Sequence, residues 1–243
     1  MRQQPSQTEV ERDLYLRLTI SSAVLAIFVA LAIMPPIAIA GSSLSWPRGW
    51  IIVALVYFAQ LGIGLWLARI NPWLFKQRTT LPPRSMSENK RATGIIFGVV
   101  FVYFLLAALD AHVWQVLPET EEVKAILRGL FLFLCGIALI VWTFSRSPFA
   151  NPTPQIEFSK TQNAKNCGPY ALVRHPMYLG LMFCIAGLSM ILGSELFAIL
   201  AVPLIILGFL PLMKMEEKTL ADKCEGYATY ADKVRCRLFP WIY

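Results

Sequence analysis

Long apolar runs alternate with polar segments along this chain. Six runs lack a charge at their centre: Leu14–Met34, Trp50–Ile70, Gly94–Leu109, Ala125–Phe144, Met177–Leu192 and Leu196–Met213. A membrane-spanning helix needs about 20 residues to cross roughly 30 Å of hydrocarbon. The pattern therefore predicts an all-α, polytopic membrane helix bundle of about six hydrophobic helices. The third, fifth and sixth runs are somewhat short for a full span. The last two are joined by so short a turn that they form an antiparallel hairpin.

The composition also indicates a membrane protein rather than a soluble one. Among the 243 residues, 56% are hydrophobic and only 15% are charged. A soluble domain of ordinary composition carries about 25% charged residues. The apolar residues are also bunched in runs longer than a soluble core requires. We interpret the chain as one polytopic membrane domain.

Lysine and arginine are distributed unevenly between the two sides of the predicted bundle. One side carries 19 of the 22 basic residues, in the N-terminal segment, two long loops and the C-terminal tail. The other side keeps Arg48, Lys124 and Arg128. By the positive-inside rule we expect both termini on the cytoplasmic side of the membrane. Because the basic residues are concentrated in the loops and termini of one side of the membrane, the net charge of +7 does not indicate nucleic-acid binding.

The runs divide the chain into four segments. These are a cytoplasmic N-terminal segment (1–13), transmembrane helices 1–4 (14–144), a cytoplasmic loop with the start of a Gly-Pro-Tyr and Arg-His-Pro motif (145–177), and the helical hairpin with the C-terminal segment (178–243). Two loops, Asn71–Thr93 and Ser145–Cys167, are longer than simple connections need to be. We expect both on the cytoplasmic face, where they would cap the open end of the hairpin.

The hairpin brings two oppositely charged pairs to one level of the bundle. With Ser194 as the tip, His175 lies 19 residues before it and Glu216 lies 22 residues after it. At a rise of ~1.5 Å per residue, the two arms differ in length by only about 4.5 Å. We therefore predict that Arg174-His175 and Glu216-Glu217 meet at the open end of the hairpin.

The stretch from Gly168 to Gly180 reads GPYALVRHPMYLG and is the main candidate for a functional site. Each part also has an ordinary structural interpretation. Gly168-Pro169-Tyr170 suits a loop turn, Pro176 a helix start, Arg174 an interfacial side chain and Tyr178 an aromatic belt. A function is favoured because so many charges beside a bilayer are costly and tend to mark functional sites.

The carboxylates after the hairpin allow two interpretations as well. Glu216-Glu217 either end a solvated helix beside Lys214 and Lys218, or bind an amino group or a ribose hydroxyl. A metal site is not expected, because the two histidines are far apart in sequence and the five cysteines form no CxxC pair. One of those histidines, His112, is expected at the surface of the far side.

At this point the motifs resemble those of a known family. The order of the motifs resembles that of the isoprenylcysteine carboxyl methyltransferase-like family, which is related to the phospholipid methyltransferases. This order is GPYxxVRHPxYxG, a helical hairpin, EExxL, GYxxY and a closing basic-Pro segment. Trp46-Pro47-Arg48-Gly49-Trp50 and Asn71-Pro72-Trp73-Leu74-Phe75 also look like its bacterial branch. The resemblance covers roughly residues 41–243 and is strong over 168–243.

The resemblance implies a membrane enzyme that transfers a methyl group from S-adenosylmethionine. It implies a cofactor pocket made of Gly168, Pro169, Tyr170, Arg174, His175, Pro176, Tyr178, Gly180, Glu216 and Glu217. Within this set we assign Arg174 and Glu217 as the catalytic residues. Many members carry Gly-His shortly before Gly-Pro-Tyr, whereas this chain has Gln162-Asn163-Ala164-Lys165, so one cofactor contact is expected to be missing or replaced.

The partners implied by the resemblance are a lipophilic small-molecule or lipid-modified acceptor and membrane lipid, without nucleic acid or metal. The accepting group is left open as a carboxylate, a thiol or an amine. No residue of a prenyl-cysteine pocket is matched, so the acceptor itself is not implied.

Two other functions remain open. NADPH-dependent membrane sterol reductases end in a similar pattern, with an RHPxYxG-like stretch and a closing Pro-x-x-Tyr, here Pro240-Trp241-Ile242-Tyr243. They typically carry an arginine-rich cluster after the hairpin, where this chain has Lys214-Met215-Glu216-Glu217-Lys218, so the methyl donor is favoured. The third possibility is a non-catalytic membrane protein with the same fold.

Overall fold

The computed structural model describes residues 7–35, 46–72, 75, 86–117, 121–146, 168–223 and 226–239. Within these ranges the chain is helical and forms no β-strand, which confirms the predicted all-α class. The α-helices found there are α1 (Gln7–Ile33), α2 (Pro47–Ile70), α3 (Met86–Leu109), α4 (Glu122–Ser145), α5 (Pro176–Leu192), α6 (Glu195–Lys223) and α7 (Tyr227–Lys233). A π-helical turn, Asp110–Trp114, continues α3.

Five of these helices contain segments long and apolar enough to cross a membrane. The segments are Arg12–Ile33, Pro47–Ile70, Phe97–Trp114, Glu122–Ser145 and Glu195–Asp222. The sixth apolar helix, α5, has 17 residues and is about 25 Å long, which is less than the hydrocarbon thickness of roughly 30 Å. Most of its side chains are buried among its neighbours. The predicted all-α, multi-pass bundle is thereby confirmed, while the number of helices that cross the membrane and the side on which the termini lie stay predictions.

Three helices extend well beyond the apolar runs that predict them. α3 begins at Met86, inside the stretch Asn71–Thr93 that is predicted to be a loop. α1 begins at Gln7, inside the segment 1–13 that the hydropathy pattern sets apart. α6 continues to Lys223, past the predicted end at Met213. Lysine, glutamate, methionine and leucine favour the helix and continue it after the apolar run ends. Glu216 and Glu217 therefore lie within the last turns of a continuous helix.

Parts of both long loops lie outside the described residues. These parts are residues 73–74 and 76–85 in the first loop and residues 147–167 in the second, and the second includes Gln162-Asn163-Ala164-Lys165. The expectation that these loops cap the hairpin stays a prediction. The closing stretch from Pro240 to Tyr243 also lies outside the described part of the chain.

Helices α4 and α5 pack backbone against backbone through two pairs of glycines. A Cβ atom on Gly136 would lie 2.5 Å from the Gly180 carbonyl oxygen, and one on Gly129 would lie 2.6 Å from that of Gly187. Any side chain would push the helices apart, so glycine is required at these crossings. Small residues at such crossings are typical of membrane helices. We call this pair of helices the α4–α5 frame. His175 lies at one end of it, immediately before α5 begins.

A buried carboxylate holds the tip of the α5–α6 hairpin. Asp110, only 1% exposed, accepts hydrogen bonds from Ser194 Oγ and from Val116 N, the latter at 3.2 Å. Ser194 Oγ also accepts a hydrogen bond from Phe197 N at 3.2 Å, which caps the start of α6. The predicted tip at Ser194 is confirmed.

His112 is partly buried, whereas the sequence suggests a surface residue. Its ring packs edge-on against Trp46, with ring centroids 4.1 Å apart, and its Nε2 atom is buried. The π-helical turn after α3 rotates this side chain toward the α2 end of the bundle, a reorientation that apolar periodicity does not reveal.

Candidate functional site

The Gly-Pro-Tyr stretch forms a 3-10 turn that leads into α5. Gly168 has a φ of 58°, a left-handed conformation that favours glycine. A Cβ atom there would also lie 2.8 Å from Arg146 Cγ, so the turn packs against the end of α4. Pro176 begins α5, where its missing N–H is not needed. His175 is thus held at a fixed position immediately before the helix.

The two charged pairs predicted to meet do so. Arg174 Nη1 lies 3.0 Å from Glu217 Oε1, and His175 Nε2 lies 3.2 Å from the same oxygen. His175 Nδ1 lies 3.9 Å from Glu216 Oε2. The geometric prediction made by counting along the hairpin is confirmed, although 42 or 43 residues separate His175 and Arg174 from Glu217.

Glu217 is the centre of this cluster, and its carboxylate is saturated with donors. Arg237 donates from Nε to both carboxylate oxygens, at 3.1 and 3.2 Å, and from Nη2 to Oε2 at 3.1 Å. Together with Arg174 and His175, these donors occupy the lone pairs of both oxygens. The Glu217 side chain is only 12% exposed. In this arrangement Glu217 organises the surrounding cations.

Arg237 is a site residue that the motif does not predict. Its only sequence signal is its place in the basic stretch shortly before Pro240. Arginine suits this position because its planar guanidinium matches both oxygens of a carboxylate. The pairing depends on how the C-terminal segment folds back over the hairpin, which local sequence patterns do not show.

Four successive carbonyl groups fix this C-terminal segment, 234–237, against the motif. The bonds are Arg174 Nε to Val234 O (2.8 Å), Arg174 Nη2 to Arg235 O (2.8 Å), Arg174 N to Cys236 O (2.9 Å) and His175 N to Arg237 O (2.9 Å). Each of the three guanidinium nitrogens of Arg174 thus donates within the chain. Arg174 acts on the site through Glu217 and the C-terminal segment.

Glu216 is the more accessible of the two carboxylates. Its side chain is 44% exposed, and Oε1 accepts a hydrogen bond from the Tyr178 hydroxyl at 2.9 Å. The Tyr178 ring lies between His175 and Phe209, with centroid distances of 5.7 and 5.3 Å. Tyr178 therefore orients Glu216 beside the imidazole.

Burial favours the neutral form of the His175 imidazole. Burial lowers the pKa of His175 below its ordinary 6.5; Glu217 opposes this, and Arg174 and Arg237 add to it. With Nε2–H donated to Glu217, Nδ1 carries a lone pair. Nδ1 and the Glu216 carboxylate are then two acceptors 3.9 Å apart, an arrangement suited to a donor placed between them.

Other residues of the predicted pocket have structural contacts. Gly180 lies in the α4–α5 crossing, and Pro169 is fully buried in the 3-10 turn. The Tyr170 carbonyl accepts a hydrogen bond from the Tyr230 hydroxyl at 2.9 Å, which links the turn to α7. The cofactor contacts assigned to these residues stay predictions.

An apolar cavity of about 330 Å³ lies inside the bundle. Helices α1 to α6 all contribute to its wall, and the α6 contribution is Phe209. Since Phe209 also contacts Tyr178, these two rings lie between the cavity and the charged cluster. Its volume falls within the range of ligand pockets, about 300–1,000 Å³.

Comparisons with known proteins bear on this site. Residues 124–224, which contain α4, the motif and Glu216-Glu217, match the phospholipid methyltransferase family. A methanethiol S-methyltransferase from a Pseudomonas species (strain GM41) is 26% identical over 209 residues, covering 80% of this chain and 75% of that protein. The enzyme of the same name from Pseudomonas deceptionensis is 28% identical, with 80% and 74% covered. These matches agree with the resemblance carried by the motif.

Proposed function

We propose that this chain is a membrane methyltransferase related to the phospholipid and isoprenylcysteine carboxyl methyltransferase-like families, and that it transfers a methyl group from S-adenosylmethionine to a lipophilic or membrane-associated acceptor. A thiol is the first accepting group to test, because both methanethiol S-methyltransferases act on one by name. A carboxylate and an amine are the alternatives.

The observation that carries the cofactor assignment is the pair of acceptors at His175 Nδ1 and Glu216. A primary ammonium group offers several N–H donors and can donate to both acceptors, which lie 3.9 Å apart, from a position beside the line that joins them. S-adenosylmethionine carries such a group at its amino acid end. NADPH carries phosphates, which Glu216 would repel. The site therefore favours the methyl donor over the reductase cofactor.

The charge balance of the cluster supports the same assignment. Two guanidinium groups, Arg174 and Arg237, surround one buried carboxylate, Glu217, and leave an excess positive charge. Glu216 offsets that charge on the accessible side. Such a site presents both signs of charge within a few ångströms, which suits a zwitterionic amino acid group.

The roles of the residues follow from these contacts. When bound, S-adenosylmethionine supplies an electrophilic methyl group on its sulfonium. Glu216 and His175 bind the amino group, and Tyr178 orients Glu216. Arg174 and Arg237 position Glu217 and the C-terminal segment. The work of the protein is mainly positioning and exclusion of water, which can supply much of a methyl-transfer rate.

The apolar cavity is the site proposed for the acceptor. At roughly 30 Å³ per heavy atom, the share of a water molecule in the liquid, its volume has room for about ten heavy atoms. Methanethiol is far smaller. A cavity of this size beside Tyr178 suits an acceptor with a hydrophobic tail, with the reacting group directed at the charged cluster.

We further propose that this end of the bundle faces the cytoplasm. The support is the basic excess on the side that carries both termini and the motif. Attaching a reporter of cytoplasmic or periplasmic exposure to each end of the chain tests this orientation independently of activity.

Calorimetric titration of the purified protein tests the cofactor. Saturable binding of S-adenosylhomocysteine is expected, and NADPH should not bind. Glu216→Gln should weaken this binding roughly tenfold, as expected for a lost charge-assisted hydrogen bond. Glu195→Gln, which removes a carboxylate at the other end of α6, is the matched control and should bind normally. Binding of NADPH alone would transfer the assignment to the reductase, and binding of neither would favour a non-catalytic role.

A further inference from the structure

The apolar cavity has the same length along three of the helices that surround it. Its lining runs from Phe97 to Phe104 on α3, from Ile140 to Phe133 on α4 and from Leu181 to Leu188 on α5. Each pair of residues is seven positions apart, which is about two helical turns or about 11 Å along the helix axis. The helices therefore give the cavity a defined length along the bundle.

Phe104 and Leu188 close the end of the cavity that lies nearer the hairpin tip. The Tyr103 hydroxyl lies 2.7 Å from Ser189 Oγ, which places these two neighbouring lining residues at one level. Their exposed fractions are only 3% and 4%. Nearer the tip, Ile191 is buried in the core and does not line the cavity. Packed side chains therefore end the cavity at Phe104 and Leu188, and we call this its closed end.

A buried polar contact holds the closed end in place. The Tyr103 hydroxyl donates a hydrogen bond to the Phe197 carbonyl oxygen at 2.6 Å, so that Tyr103 connects α3 to both helices of the hairpin. Its ring packs edge-on against the Phe104 ring, with centroids 5.3 Å apart. Displacing Phe104 toward the tip would disturb this hydrogen bond inside the hydrocarbon layer, where an unpaired polar group is costly. Phe104 is therefore a firm boundary rather than a side chain that yields easily.

The opposite end of the cavity lies beside the charged cluster, where Phe209 contacts Tyr178. We propose that the acceptor carries one unbranched alkyl or acyl chain of medium length, and that Phe104 sets the greatest length of this chain. The inference rests on the proposed function and deepens it, because it names the substrate class. With its reacting atom at the charged cluster, such an acceptor would extend its tail toward Phe104.

Length and volume give the same size for this chain. A carbon–carbon bond of about 1.5 Å advances an extended chain by about 1.25 Å, so about 11 Å holds about nine carbons. The cavity volume of about 330 Å³ has room for about ten heavy atoms. The two values agree for a single chain, which excludes two chains lying side by side.

The test compares hexanethiol, decanethiol and tetradecanethiol with the protein in lipid nanodiscs. Each thiol is dosed per mole of lipid, because a longer chain partitions more strongly into the bilayer. The shift in thermal unfolding reports binding without turnover, and the initial rate of methylation reports productive binding. Wild-type protein should bind tetradecanethiol roughly tenfold more weakly than decanethiol, since the extra carbons would overpack the closed end.

Phe104→Ala removes the ring at the closed end and should bind tetradecanethiol at least as well as decanethiol. Phe131→Ala is the matched control. It makes the same change on α4, at a residue that is 69% exposed and does not line the cavity, so it should keep the wild-type preference.

A second variant is needed because loss of a buried ring also destabilises the core. Val56→Phe adds a ring to the cavity wall instead of removing one. Val56 is the lining residue of α2 that lies nearest the tip. This variant should shorten the cavity and shift the preference from decanethiol to hexanethiol.

Each result decides between named alternatives. The same preference in wild type, Phe104→Ala and Val56→Phe would overturn the inference, because the closed end would then not limit the chain. Equal binding of all three thiols by the wild type would also overturn it, as expected if the tail leaves the cavity sideways or a membrane lipid chain fills it. Methylation of methanethiol, which has no tail, tests the proposed function separately. If no thiol is methylated while the length limit and its shift in the variants persist, methylation of thiols is rejected and the role of Phe104 stands.

Discussion

Arg237 donates hydrogen bonds to both carboxylate oxygens of Glu217, from a segment that follows α7. The same carboxylate also accepts from Arg174 and His175. Breaking a buried ion pair by removing one partner leaves an uncompensated charge and is strongly destabilising. Glu217 is thus expected to matter for stability as well as for activity.

Replacing Glu217 by glutamine tests this expectation. Glu217→Gln leaves two arginines without their anion, and we expect a loss of about 2–4 kcal/mol in the free energy of unfolding, with a Tm lower by roughly 5–15 °C. Glu195→Gln removes a carboxylate whose pair with Arg128 is far more exposed, so it should cost about 1 kcal/mol or less. Thermal unfolding in detergent measures both. Equal losses in the two variants would contradict the central position of Glu217.

A second prediction concerns Arg174 and the C-terminal segment. The Arg174 side chain holds the carbonyl groups of Val234 and Arg235, so Arg174→Ala should release the segment while the α4–α5 frame stays folded. We expect trypsin to cleave after Arg235 and Arg237 about tenfold faster or more, together with loss of methylation. Mass spectrometry of the fragments measures the cleavage.

Arg128→Ala, at the opposite end of the bundle, is the control for a general loss of stability and should leave this cleavage rate unchanged. Unchanged cleavage in Arg174→Ala would show that backbone contacts alone hold the segment. Surviving methylation would show that the role assigned to Arg174 is wrong.

The contacts that could be predicted from the sequence are those that follow from counting residues along the two helices of the hairpin. The short turn at Ser194 fixes two antiparallel helices, and equal arm lengths then bring His175 and Glu217 together. The pairing of Arg237 with Glu217 was not predictable, because a non-helical segment has no periodicity that would place it. The end of α6 was predicted too early, since hydropathy marks where the apolar run ends and not where the helix ends.

A third prediction separates two roles for Gly180. A Cβ atom on Gly180 would lie 2.9 Å from the Gly136 carbonyl oxygen, and one on Gly136 would lie 2.5 Å from that of Gly180. Gly136→Ala and Gly180→Ala should therefore each cost about 1–3 kcal/mol through overpacking. Gly62→Ala is the control, because a Cβ atom there meets nothing within 4 Å and alanine favours the helix.

Binding of S-adenosylhomocysteine to the two variants distinguishes packing from cofactor contact. If Gly180 acts only through the helix crossing, Gly136→Ala and Gly180→Ala should weaken binding to the same extent. A further loss confined to Gly180→Ala would support the cofactor contact implied by the family motif.

The last prediction concerns pH and His175. Burial lowers the pKa of His175 from its ordinary 6.5 in the folded protein, so below about pH 6.5 the unfolded chain binds more protons than the folded one at this residue. The contribution of the neutral imidazole to the free energy of unfolding is therefore fully present above pH 6.5. It is lost as the pH falls toward the lowered pKa of the folded state. This one group can change the free energy of unfolding by at most about 1.4 kcal/mol per pH unit.

His175→Gln isolates this contribution from the carboxylates that also titrate below pH 5. Glutamine can still donate a hydrogen bond to Glu217 but does not take up a proton, so the unfolding free energy of the variant should fall less steeply between pH 7 and pH 5 than that of the wild type. Protonation at Nδ1 would also remove the acceptor that faces Glu216. Affinity of the wild type for S-adenosylhomocysteine should therefore decline over the same interval. Parallel stability curves for the two proteins would mean that folding does not lower the pKa of His175, against this prediction. A steeper fall in the variant than in the wild type would mean that folding raises this pKa and keeps the imidazole charged, and the ammonium position proposed at His175 and Glu216 would have to be abandoned.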